Sequence, residues 1–203
     1  MGLSIFYSGT VRGVNQLPLL IDEITDLCDD LHWPWQYYSS SPEYPLEGMT
    51  FNPPGAQLIY MTFLKDGRLA EPYNMYNFKM NRYEIPDSEE EIMINPIIQY
   101  AGPDAHMQLI SILRHLSSKY FSKFKLIDES EYWETGDEQK CRDWFEMFSA
   151  WMENMSYDLG KLDGRGHEGG ASYHTRLLEF LESGRSPMEL LKVMKSPYRK
   201  SKE

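Results

Sequence analysis

Few residues of this sequence have types and spacings suited to chemistry. Residues 164–169 read Gly-Arg-Gly-His-Glu-Gly and match the glycine spacing of dinucleotide-binding loops. Such a loop follows a buried strand, whereas an amphipathic helical pattern precedes these residues. We therefore predict no nucleotide or other cofactor. Arg165, which lies ahead of a predicted helix N-terminus, is kept as a candidate anion-binding residue.

Candidate metal ligands do not converge in a recognised pattern. The densest group is Asp163, His167, Glu168 and His174. It straddles the glycine-rich loop and lacks the H-E-x-x-H spacing that places two histidines on one face of a helix. We predict that no metal is bound.

The two cysteines differ in their surroundings. Cys28 falls on the apolar stripe of a predicted helix and is expected to be a small core residue. Cys141 lies between Lys140 and Arg142 near a helix start, and such charges lower the pKa of a thiol. Cys141 is therefore the better candidate for a reactive thiol.

Aromatic residues are more informative, because the chain has 14 Tyr, 9 Phe and 5 Trp. The helical pattern from Asp137 to Leu159 carries an apolar stripe that is wider than one packing contact needs. Surplus apolar surface indicates a partner. If the line from Trp144 to Met155 packs on the body, Phe145 and Met152 stay partly accessible. The predicted partner-binding residues are Trp144, Phe145, Phe148, Trp151 and Met152.

Two alternatives to a partner protein could also cover that stripe. The two predicted C-terminal helices, within residues 173–195, or a second copy of the chain could bury it. Finding both Phe145 and Met152 fully buried within one chain would contradict the partner surface and favour an enzyme with a pocket.

The elements that must position these residues predict an α+β fold. Two strand–helix–strand units, in residues 3–64 and 93–133, are expected to share a mostly antiparallel sheet with both helices on one face. A shift of 92 residues aligns the apolar stripes of the two helices, which suggests an internal duplication. Any two amphipathic helices can be aligned in this way, so a shared Tyr-x-Gly, at Tyr7 and at Tyr100, is the more specific evidence.

The predicted domains are a sheet domain, residues 1–135, and a helical C-terminal extension packed on it, residues 136–203. The last third of the chain changes to helical periodicity, interrupted by five glycines in residues 160–170.

The net charge of −11 disfavours binding to duplex nucleic acid, because phosphate backbones are repelled. No run of about 18 apolar residues is present, so no membrane partner is expected. The absence of a signal-like start and the two distant cysteines favour a cytoplasmic protein. Residues 192–203 form a basic tail, which is most simply a solubilising end.

The first half of the chain resembles a family of uncharacterised bacterial proteins known only as hypothetical. The residues that carry the resemblance are Leu3 to Gly9, the acidic helix and Trp/Tyr strand that follow, residues 50–55 and the turn at Asp66-Gly67-Arg68. The resemblance implies an α+β fold and supplies no activity, ligand or catalytic residue.

The leading functional hypothesis is a non-enzymatic cytoplasmic protein that binds another protein through an acidic, aromatic-rich surface. The partner would carry a basic surface, or would be a second copy of the chain, and an inhibitor or immunity-type role would fit. The alternative is a small enzyme or ligand-binding protein with an aromatic pocket between the sheet and the C-terminal helices.

Overall fold

The computed structural model describes residues 3–41, 45–72 and 91–162, with side chains up to Met152. The helices are α1 (Leu17–Leu31), α2 (Gly102–Tyr120), α3 (Tyr132–Thr135) and α4 (Glu138–Leu162). The strands are β1 (Ile5–Val11), β2 (Trp35–Tyr38), β3 (Glu47–Phe51), β4 (Ile59–Phe63) and β5 (Phe121–Asp128). The predicted α+β fold class is confirmed.

The strands form two antiparallel sheets in the described residues. One has the order β2-β3-β4, and the other pairs β1 with β5. Residues 67–70 bridge the two sheets, because Leu69 donates its N–H to the carbonyl of Gly9 while Ala70 donates to the carbonyl of Thr62. The predicted single sheet is therefore two ladders joined by a short irregular segment.

The apolar stripe of α1 packs on the sheet as its spacing predicts. Leu17, Leu20, Ile24 and Cys28 are buried. The helix ends at His32, which adopts a left-handed conformation (φ 56°) two residues before Pro34.

The second helix, α2, packs on β5 and shares the core with α1. The two helices meet at Glu23, whose carboxylate accepts from Lys119 (2.8 Å), from His115 (2.6 Å) and from the Tyr120 hydroxyl. Burial alone would raise the pKa of Glu23, but these hydrogen bonds outweigh it and lower the pKa to about 2.

The strand expected at the start of the second unit, from Met93 to Tyr100, is reduced to isolated bridges from Ile94 to Tyr7 and from Ile97 to Ser4. Pro96 has no N–H to donate, so a continuous ladder cannot form there. Tyr7 is fully buried inside β1, whereas Tyr100 is 72% exposed in a turn. The two Tyr-x-Gly motifs thus occupy different positions, and the internal duplication stays a prediction.

The chain divides into two compact units, Met1–Phe148 and Ser149–Glu203. The first contains the five strands described above. In the second, the described part is the helical stretch up to Leu162. The predicted boundary after residue 135 lies earlier in the chain than this division. None of the helices in the described ranges has the length and apolar character needed to span a bilayer.

Candidate functional site

The strand β2 carries an exposed aromatic surface at the edge of the three-stranded sheet. Trp33, just before it, is buried and stacks on Phe51 with ring centroids 6.1 Å apart. Trp35 and Tyr37 are 42% and 45% exposed although they belong to the same aromatic run. The difference arises because Trp33 enters the core beneath the sheet, while Trp35 and Tyr37 lie at its outer margin.

The backbone of β2 presents hydrogen-bonding groups to that margin. Asn52 donates to the carbonyl of Pro34 (2.9 Å), and the register continues antiparallel, with Gln36 opposite Thr50. Since alternate residues of an antiparallel strand point their N–H and C=O groups to opposite sides, Gln36 and Tyr38 bond to β3. The backbone groups of Trp35 and Tyr37 therefore point outward, where no strand within the described ranges pairs with them.

Carboxylates hold both exposed rings. The indole N–H of Trp35 donates to Asp29 at the end of α1 (2.9 Å), and the hydroxyl of Tyr37 donates to Glu47 on β3 (3.3 Å). Partial burial and the Glu47 carboxylate raise the pKa of Tyr37. We call these four residues, Trp35, Tyr37, Asp29 and Glu47, the acidic aromatic edge.

The surroundings of this edge are acidic by sequence as well as by contact. Between Arg12 and Lys65 the chain contains no lysine or arginine, whereas it contains seven Asp and Glu residues. A cationic ligand would therefore meet little repulsion from this segment.

A second group of chemically capable residues is buried between α2, β5 and α4. The imidazole of His106 lies 3.1 Å from Asp128 Oδ2 and 2.9 Å from Ser130 Oγ. Asp128 also accepts from the N–H groups of Ser130 and Trp133. Burial raises the pKa of Asp128, but the hydrogen bonds from His106 and Ser130 outweigh it, so the pKa lies below its usual value.

This Ser–His–Asp group does not have the geometry of a catalytic triad. In a triad the carboxylate and the hydroxyl bind opposite nitrogens of the imidazole, so that the ring can relay a proton. Here both contact Nε2, and Nδ1 is buried with no partner in the described part of the chain. His106 and Ser130 have no exposed surface. The group ties the end of β5 to the helices.

The setting predicted for Cys141 is wrong. Its side chain is fully buried, and burial raises the pKa of the thiol to about 11. Burial outweighs the smaller lowering of this pKa by Arg142, which is paired with Asp104 (2.6 Å). Lys140 is paired with Glu131. Cys28 is also buried, as predicted, and its pKa is likewise raised by burial to about 11.

The predicted partner-binding helix is only partly accessible. Phe145 is 5% exposed and lies against His106, with ring centroids 5.4 Å apart, so the prediction that it stays accessible is wrong. Cys141, one turn earlier, is anchored in the core and turns this side of α4 inward. Trp144, Phe148 and Met152 are half-buried, and Trp151 is buried. Their role in partner binding stays a prediction.

Two earlier candidates lie outside the described residues, namely Arg165 and the group from Asp163 to His174. Within the described ranges, no group of three or more His, Cys, Asp or Glu side chains is arranged to hold a metal ion.

An open cleft of about 560 Å³ lies on the sheet near the β3–β4 turn. The side chains of Asn52, Gln57, Tyr60, Glu71 and Asn95 supply its polar lining. Burial raises the pKa of Glu71. Five of its seven lining residues carry polar side-chain groups. The aromatic pocket considered from the sequence was placed elsewhere, between the sheet and the C-terminal helices.

The sequence indicated a Trp/Tyr strand after the acidic helix, but the predicted partner-binding residues lay on the helix from Asp137 to Leu159 instead. The signal that could have separated Trp35 and Tyr37 from Trp33 is Pro34, which starts a new extended segment after α1. Comparisons with protein-family models, with curated proteins and with solved structures found no match to this chain.

Proposed function

We propose that this chain is a non-enzymatic cytoplasmic protein that binds another protein through the acidic aromatic edge. The observation that carries the proposal is that Trp35 and Tyr37 each combine an exposed ring with backbone groups that no strand in the described ranges pairs. An inhibitor or immunity-type role is compatible with such a surface.

The two rings are suited to supply binding energy. Tyrosine and tryptophan dominate protein interfaces because each offers a large apolar face and a polar tip. The hydrogen bonds to Asp29 and Glu47 restrict these side chains before binding, which lowers the entropy cost of association.

The charge of the edge favours a basic partner. The carboxylates of Asp29 and Glu47 and the acidic segment between Arg12 and Lys65 would accelerate encounter with a cationic surface. The burial of the Ser130–His106–Asp128 group supports a role without catalysis, since a substrate would have to open the core to reach it.

The test is quantitative capture from a native lysate with three versions of the chain. We expect Trp35→Ala/Tyr37→Ala to capture at least tenfold less of the proteins that bind the wild-type chain, and we expect high salt to weaken wild-type capture. The matched control is Leu19→Ala, which removes a 61% exposed apolar side chain on the solvent side of α1. Undiminished capture by the double variant would refute the proposal.

The cleft lined by Asn52 and Glu71 supports a second candidate function, binding of a small polar ligand. Residues with amide, phenol and carboxylate groups line it, as they do in many ligand sites. A screen of small amines and amides by thermal shift tests it. A hit that stabilises the wild-type chain but not Asn95→Leu would favour this function, provided that Trp35→Ala/Tyr37→Ala retains the stabilisation.

A further inference from the structure

We propose that the acidic aromatic edge binds its partner by strand addition: an extended segment of another protein, with arginine or lysine at alternate positions, pairs antiparallel with β2. The inference rests on the proposed function and specifies how the edge recognises its partner.

The backbone of β2 is prepared for this pairing. The outward N–H and C=O groups of Trp35 and Tyr37 can together exchange up to about four hydrogen bonds with an added strand. Backbone groups buried by a partner must be paired, so a partner covering the rings is best accommodated as a strand that also bonds to them.

The same argument holds at the opposite margin of this sheet. There the N–H and C=O groups of Tyr60 point away from β3, and both are bonded to the hydroxyl of Tyr7, at 3.0 and 2.9 Å. On that side the molecule satisfies its own edge with a side chain. On the β2 side, no strand within the described ranges pairs with the corresponding groups.

The alternation of a strand determines which partner residues meet the rings. Residues that bond directly opposite Trp35 and Tyr37 place their side chains on the same face as the rings, about 6.8 Å apart along the strand. On that face they meet Asp29 and Glu47 as well. Arginine fits best, because its guanidinium stacks on an aromatic ring and pairs with a carboxylate.

A second copy of this chain is a poorer occupant. Antiparallel pairing of two β2 strands would bring two sets of Asp29 and Glu47 together across a short ladder. Like charges on facing strands are destabilising, and each chain carries a net charge of −11.

The probe is the labelled peptide Arg-Val-Arg-Val-Arg-Val with blocked ends, together with two N-methylated derivatives that are isomers of each other. One isomer is N-methylated on its arginine amides and the other on its valine amides. The three peptides carry equal charge, so non-specific attraction to an acidic protein affects them equally. Methylation of the arginine amides blocks the pairing edge, and we expect at least a tenfold loss of affinity by fluorescence anisotropy. Methylation of the valine amides should leave the affinity within about twofold.

Amide exchange measured by NMR gives an independent readout. On adding the unmodified peptide, protection should rise at the amides of Trp35 and Tyr37, while Gln36 and Tyr38 should change little. Sedimentation of the free chain as a dimer through β2, abolished by Trp35→Ala/Tyr37→Ala, would overturn the proposed occupant.

Failure of strand addition can be told apart from failure of the proposed function. If all three peptides bind equally and Trp35→Ala/Tyr37→Ala abolishes all binding, the surface is retained and strand addition is overturned. If unmodified peptide binds this double variant as well as wild type, the acidic aromatic edge is not the site. Absence of binding by any peptide, with lysate capture still dependent on the edge, overturns the assigned partner chemistry.

Discussion

Four strands lie at the margins of the two sheets. Irregular segments bond to the outer sides of β1 and β4, whereas no backbone in the described ranges bonds to the outer sides of β2 and β5. In β2 the outward backbone groups belong to Trp35 and Tyr37, whose side chains are exposed. In β5 they belong to Phe124 and Leu126, because β1 uses its even-numbered residues, such as Ser8, to pair with this strand. The side chains of Phe124 and Leu126 are half-buried and buried, respectively.

The two edges also differ in charge. Lys123 and Lys125 are exposed on β5, whereas the carboxylates of Asp29 and Glu47 border β2. Lysines on edge strands are a common defence against unwanted pairing, because a second strand would have to bury them. Whether a strand edge can accept another strand thus depends on which residues carry the outward backbone groups. In β2 these residues have exposed aromatic side chains, whereas in β5 their side chains are half-buried or buried.

The largest effect should come from the buried end of β5. Asp128→Ala leaves His106 and the N–H groups of Ser130 and Trp133 without their acceptor, and we expect a loss of about 3–5 kcal/mol in the free energy of unfolding. Trp35→Ala, at the exposed edge, should cost about 1 kcal/mol or less. Urea denaturation of both variants checks the contrast. Equal losses would contradict a difference between an anchored and an exposed strand. If Asp128→Ala does not fold, Asp128→Asn serves instead.

A smaller effect should follow from removing the lysines of β5. Lys123→Thr/Lys125→Thr gives this edge a strong strand former without charge, and we expect self-association at roughly tenfold lower protein concentration in sedimentation experiments. Lys65→Thr/Lys140→Thr changes the net charge equally, away from this edge, and should leave association unchanged. If both double variants associate alike, charge alone explains the result.

The smallest effect concerns the contact between α1 and α2, which supports both edges. Because the pKa of Glu23 is lowered from 4.5 to about 2, its contribution to stability is complete above about pH 4.5 and is lost as the pH falls through about 2. Glu23→Gln should therefore cost about 0.5–1 kcal/mol at neutral pH, and the difference from wild type should shrink in acid. Asp26→Asn, on the exposed side of α1, is the control. A pH-independent difference would show that the carboxylate charge is not responsible.

Local patterns in the sequence account for α1 and for the turn between β3 and β4. The stripe from Leu17 to Cys28 and the stop before Pro34 need only neighbours along the chain. The turn between the strands places Gly55 at φ +74°, where a Cβ would lie 2.1 Å from the carbonyl oxygen of Tyr100. That requirement for glycine matches the Asn-Pro-Pro-Gly signal in the sequence.

The candidate site was not predictable to the same extent, because its properties depend on distant pairings. The exposure of Trp35 follows from the position of β2 at the margin of the sheet, which its own residues do not encode. Likewise, His106 and Asp128 are 22 residues apart and meet only once α2 has packed on β5. The burial of Phe145 depends on that meeting.

The hydroxyl of Tyr7 has a consequence for how the two ladders come apart. One oxygen atom, carried by a residue of β1, donates to the carbonyl of Tyr60 and accepts from its N–H, so a phenol occupies the place of a missing strand beside β4. Separating the ladders would break both hydrogen bonds of the Tyr60 backbone at once. In Tyr7→Phe the ring would fill the same volume, but neither hydrogen bond to Tyr60 could form. The two sheets, separate as ladders, should therefore open as one cooperative unit.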